Sequence, residues 1–225
     1  TEGQAGFTLN IQGTGSTATV AGSQIKATGN RSLAVNVAAG GVLEMRESTV
    51  TSASTGAVGG NAVLVDGTGA RATFTNTTVL ADPITDSVAA GVQAANGAAV
   101  TTNGGSVTTN AKNGTALGAS RSTINATNVV INTTGTDNSM GVLADIGGQI
   151  DLVGGSVTTR GDEVRAGARP HGLASRNPGG TLTSTGTPVL VAGDGGMGAV
   201  ADDGGTTNLS GNTIRTEGIG GRSPA

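Results

Sequence analysis

The chain repeats itself at a spacing that leaves few folds open. Short segments closing on Val or Ile return at Ile25, Val50, Val79, Val107, Val130, Val157, Val189 and Ile214. They read "GSQI", "ESTV", "NTTV", "GGSV", "TNVV", "GGSV", "GTPV" and "GNTI". Successive intervals average about 27 residues, a period that marks stacked repeat architectures. Apolar residues stand seven and five positions ahead of these anchors: Leu43 and Met45 before Val50, Ala72 and Phe74 before Val79, Ile150 and Leu152 before Val157. A step of two is the period of a β-strand with one buried face. Ile124 and Ala126 stand one position out of step with Val130, which a shortened turn in that unit would explain.

A further element follows several anchors: "AGVQAANGA" 90–98, "TALGASRS" 115–122, "MGVLADIGG" 140–148, "HGLASRNPGG" 171–180 and "MGAVADDGG" 197–205. It reads as a short strand and a turn, with Asp, Asn and Gly where the backbone needs positive φ. One unit is therefore strand, bend, strand, variable loop, third strand and glycine turn. No helical period is sustained, and Gly with β-branched residues would penalise helices. A unit this small cannot bury its own apolar face, whereas stacked copies can. The expected fold is all-β, a single-stranded parallel β-helix (β-solenoid) of about eight rungs, right-handed by the usual sense of parallel crossovers. Residues 1–225 form one such domain. At roughly 4.8 Å per rung the rod is on the order of 40 Å long.

Composition suits this fold and closes others. The chain has 41 Gly, two Phe and no Cys, Trp or Tyr, so no core of large rings can form. Charged residues are only 12%, too few for a disordered polyelectrolyte. A net charge of −3 with scattered basic residues argues against nucleic acid as a partner. No apolar run has membrane-spanning length, so no membrane insertion of this segment is expected. Cys absence rules out a disulfide framework and is compatible with passage through an oxidising periplasm.

These rungs resemble the passenger domains of bacterial autotransporters, specifically the pertactin-like group. The likeness rests on the "GGSVTT" rungs, on the "-GVxA-" third strand with its glycine turn, and on the low aromatic content, and it spans nearly the whole chain. The resemblance implies a right-handed β-helix displayed outside a Gram-negative cell, used in attachment or in handling host proteins. It also implies a C-terminal translocator barrel, and nothing in 1–225 has the alternating, aromatic-girdled strands of one. The sequence, which starts at Thr1, is thus expected to be an N-terminal part of a longer exported passenger, processed or excised.

The sharpest site candidate is Arg160-Gly161-Asp162 in "GGSVTTRGDEVRAG" 154–167. The protein after which the resembled group is named carries the same tripeptide just after a rung strand, at the mouth of a long loop. Here it opens the longest interval, Val157 to Val189, where charge, Gly and Pro cluster. Loops on a rigid scaffold are where binding residues concentrate. Asp162 would offer its carboxylate to a metal ion held by an integrin-like host receptor. Arg160 would reach an acidic pocket, and Gly161 would keep the two heads apart. A host serum or matrix protein is the other partner considered. An ordinary charged turn is the plain alternative.

Other candidates are weaker. His171, the single His, is expected in a solvent-facing loop, and with no Cys beside it no metal site is expected. Asp194, Asp202 and Asp203 sit by Gly bends without a sustained calcium-binding repeat, and read as turns. The Thr pairs of "VTT" at 100–102, 107–109 and 157–159 do not continue through "VTS", "VIN" and "VLV", so no water-ordering Thr ladder is expected. Asn-x-Ser/Thr triplets at Asn76, Asn125 and Asn132 are expected from composition. No G-x-S-x-G elbow is present, and acidic residues fall mainly in turns, so no catalytic residues and no cofactor are expected. The leading expectation is a monomeric, non-enzymatic adhesin rod. Alternatives are a purely structural stalk, a trimeric adhesin head with left-handed rungs half as long (hinted at by "NGTALGAS" 113–120), and a solenoid glycan hydrolase.

Overall fold

The computed structural model describes residues 6–55, 60–83, 88–163 and 169–219. Among them are 24 strands and no helix. Three strands make one rung, beginning with Phe7–Gln12, Thr17–Ala21 and Gln24–Ala27 and ending with Met197–Asp202, Thr206–Ser210 and Ile214–Thr216. Each strand pairs in parallel with its counterpart three strands away, which builds three sheets of eight strands. We call them A, B and C in the order the chain visits them. The architecture is a right-handed parallel β-solenoid of eight rungs. Each rung takes the whole interval from one anchor to the next, so the left-handed rung of half that length is not what this chain forms.

In-register pairing turns each sequence position into a column. Val50, Val79 and Val107 stack in sheet C, and Leu43, Ala72 and Val100 stack in sheet B. Val63, Val92 and Leu117 stack in sheet A. All of these are buried, and together they make one continuous core along the axis. Phe74, the largest fully buried side chain, stacks between Met45 and Thr102, so one ring suffices where its neighbours are slimmer. At the last rung, Leu209 and Ile214 are 43% and 39% exposed, because no described rung covers them.

The register corrects one anchor. Val107 pairs with Ile131, and Ile131 with Val157, so the core residue of that rung is Ile131. Val130 faces outward and is 43% exposed. Ile124 and Ala126 are therefore seven and five positions before the true anchor, fully in step, and no shortened turn is needed. A Val-Val-Ile run offers three apolar candidates, and only pairing with the neighbouring rungs decides which side chain joins the anchor column.

The glycine of the "-GVxA-" strands has a packing reason. A Cβ at Gly91 would sit 2.5 Å from Val107 Cγ1, and one at Gly141 would crowd Val157 Cγ1 in the same way. Sheet A approaches the sheet C anchors too closely there for a larger side chain. The "VTT" segments also divide by face. Thr108 and Thr158 point outward in a column broken by Leu80, Asn132 and Leu190. Thr109 and Thr159 are fully buried, and their hydroxyls donate to the carbonyls of Ala89 and His171 at 3.2 and 3.3 Å. These bonds tie the end of sheet C to the start of sheet A. The A-to-B turns hold positive φ at Asn96, Asn177 and Asp203, as their residue types suggest, and also at Ala39, Arg121 and Ile146.

The corrected register is open to a direct check. Ile131→Ala should cost about 2–5 kcal/mol in chemical denaturation, as large-to-small core changes do. Val130→Ala should stay within about 0.5 kcal/mol. Equal costs would return the anchor to doubt.

Candidate functional site

The three corners of the solenoid differ in what they tolerate. B-to-C connections, such as 104–105 and 186–188, are uniformly short, and A-to-B connections, such as 96–98 and 177–180, are little longer. C-to-A connections range from the brief 110–114 to the long 160–170. The strands on either side are clamped in ladders, and the length of chain between them varies here without disturbing the stack. Arg160, Gly161 and Asp162 all lie at this corner.

The tripeptide begins its connection inside the stack. The Arg160 amide donates to the Thr133 carbonyl at 2.9 Å, and the Asp162 carbonyl accepts from the Asp137 amide at 3.0 Å. On the other side, the amide of Glu163 donates to the Asp194 carbonyl at 3.1 Å. Gly161 is buried in a column with Gly135 and Gly193. A Cβ on Gly161 would overlap the Gly135 carbonyl oxygen, and one on Gly193 would overlap that of Gly161. Close backbone approach is thus what requires Gly at 161.

Asp162 also serves the stack. Its Oδ1 accepts the Asp194 amide at 3.0 Å, and Asp194 repeats the device one rung on by accepting the Ile219 amide at 2.7 Å. Asp194 is accordingly a turn residue, as its sequence context indicates. Arg160 and Asp162 are both exposed, on either side of the buried glycine. The remainder of "RGDEVRAG" beyond Glu163 lies outside the described residues.

A second cluster sits on the outer face of sheet A at the last two rungs. His171, Arg176, Met197, Val200 and Asp202 line a groove there together with Arg169, which belongs to the same long connection. His171 is not the solvent-facing loop residue expected from sequence. It opens the strand His171–Arg176 and is 3% exposed, because it pairs between Met140 and Met197 in sheet A. Burial, reinforced by the nearby Arg176 and Arg169 charges, lowers its pKa from 6.5 to about 4, against a weaker opposite pull from Asp202. Its imidazole is therefore neutral at neutral pH. Asp202 reaches the cluster only because its rung stacks on that of Arg176. Asp203 lies in the following turn, its amide donating to Asp202 Oδ1 at 3.0 Å. Among the described residues no group of three or more His, Asp or Glu side chains is placed to hold a metal ion.

The fold defines the protein as a member of the parallel β-solenoid class. Comparison with protein-family models, with curated proteins and with solved structures gives no match.

Gly161→Ala should destabilise the folded chain by about 1–3 kcal/mol through forced overpacking. Asp162→Ala should cost only about 1 kcal/mol, the worth of one hydrogen bond. Urea denaturation of both variants checks the order. His171 adds a pH dependence, since the folded state holds it neutral while the unfolded chain titrates near 6.5. Its contribution is complete above 6.5 and is lost as pH falls from there towards about 4. His171→Asn should therefore lose less stability than the wild type between about pH 7 and pH 4.5. Parallel slopes in the two proteins would contradict the burial argument.

Proposed function

We propose that this chain is a rigid display segment of an autotransporter-type passenger, held outside a Gram-negative cell, non-catalytic and used to bind a host receptor or host protein. The observation that carries this is the division of the solenoid into two near-constant corners and one variable one. Three unbroken ladders make a stiff rod, and all substantial variation in chain length lies along a single edge. Binding residues concentrate on such loops because change there leaves the scaffold intact. The rung pattern shared with pertactin-like passengers supplies the cell-surface setting.

In this proposal Arg160 and Asp162 are the contact residues. They are exposed on either side of a backbone already fixed by the ladder, which lowers the ordering cost of binding. With Asp162 Oδ1 engaged by the Asp194 amide, Oδ2 is the oxygen offered to a receptor-held metal ion. Arg160 supplies the opposite charge.

A specific observation favours a second reading, a structural stalk. Gly161 and the Oδ1 of Asp162 are both accounted for by stacking alone. The two are separated by measuring attachment of integrin-bearing cells to the immobilised chain in divalent cation. Asp162→Glu keeps the charge but moves the carboxylate, and should reduce attachment at least about tenfold. Arg160→Ala should do the same without altering the ladder. Attachment that ignores both changes, or that never rises above a blank surface, points to the stalk.

A further inference from the structure

The groove on sheet A at the last two rungs contains polar atoms that the chain itself leaves unused. His171 Nδ1 and Arg176 Nε are both buried with no hydrogen-bond partner among the described residues. Buried polar groups normally find a partner, so two orphans in one groove call for an explanation. Arg176 is the more telling. Its register neighbours are Asp145 and Asp202, yet among the described residues no ion pair joins it to either. Asp145 is turned to Asn177, whose Nδ2 donates to its Oδ1 at 2.5 Å. Arg169 is only loosely engaged, its Nε 3.5 Å from Glu163 Oε2. Two guanidinium groups and a buried imidazole thus border a space of about 270 Å³, with Met197 and Val200 as its apolar lining and Asp202 as its one carboxylate.

We propose that this groove binds an oxyanion, with Arg176 and Arg169 holding its oxygens and His171 donating from its ring. Guanidinium groups suit planar or tetrahedral oxyanions because their N–H donors form a fork. Asp202 would repel a bare anion but accepts a hydrogen bond from a hydroxyl. The preferred ligand is therefore a carboxylate or sulfate with a hydroxyl beside it, the chemistry of an acidic sugar. The volume admits one such ring. This site is independent of the tripeptide, and a failure of cell attachment would leave it standing.

The single His makes the test clean. Ring resonances of His171 in the whole chain are followed by NMR while glucuronate, sulfate or acetate is added at constant ionic strength, with chloride as control. Glucuronate should shift them saturably, and bound anion should raise the His171 pKa by offsetting the Arg176 and Arg169 charges. Arg176→Gln and Arg169→Gln, each confirmed folded by circular dichroism, should each weaken binding at least about tenfold. Asp202→Asn should narrow the preference for glucuronate over acetate. A response no different from chloride, or one that persists unchanged in both Arg variants, would overturn the site. Equal binding of acetate and glucuronate would overturn the role given to Asp202.

Discussion

Among the described residues, each strand between the first and last rungs takes its hydrogen bonds from the rungs above and below it, and the rest of the structure depends on that arrangement. Parallel strands in register cannot drift, since a slip by one position would turn a whole column of side chains to the wrong face. Each column must then satisfy its own neighbours. Val50, Val79 and Val107 do so by matching size, while Phe74 fits because Met45 and Thr102 flank it. Gly135, Gly161 and Gly193 do so by having no side chain at all.

The same constraint decides where novelty can be placed. Two corners stay short in every rung, between two and four residues, with the strands that follow them in register. The C-to-A corner accommodates connections as different as 110–114 and 160–170 while the strands after them stay in register. Its inner edge is not free, however. Arg160, Gly161 and Asp162 belong to the stacked part of the corner, so Gly161 and Asp162 serve the scaffold as well as any ligand. A tripeptide that looks like a recognition signal in one dimension is also a column member in three.

Most of the solenoid was legible from the repeat. The two-position step of Leu43 and Met45, the anchor Val50 and the glycine turns identify strand, face and corner without coordinates. Failures came where local pattern was degenerate or where the deciding contact lay one rung away. Val130 and Ile131 are equally apolar neighbours, and only the pairing with Val107 and Val157 selects Ile131. His171 read as a loop residue because charge, Gly and Pro crowd the segment before it. Pairing with Met140 and Met197 draws it into sheet A.

The order of residues by itself determined a stacked β-fold, its rung length and the position of its long connection, because hydrophobic periodicity and turn chemistry are local properties of a chain. Tertiary structure alone decided which residues meet across rungs. Arg176 stacks beside Asp202, and Asp162 takes the Asp194 amide, each neighbour a full rung further along the chain. The lengths of the intervening connections set those pairings, and only the closed ladder converts such lengths into contacts.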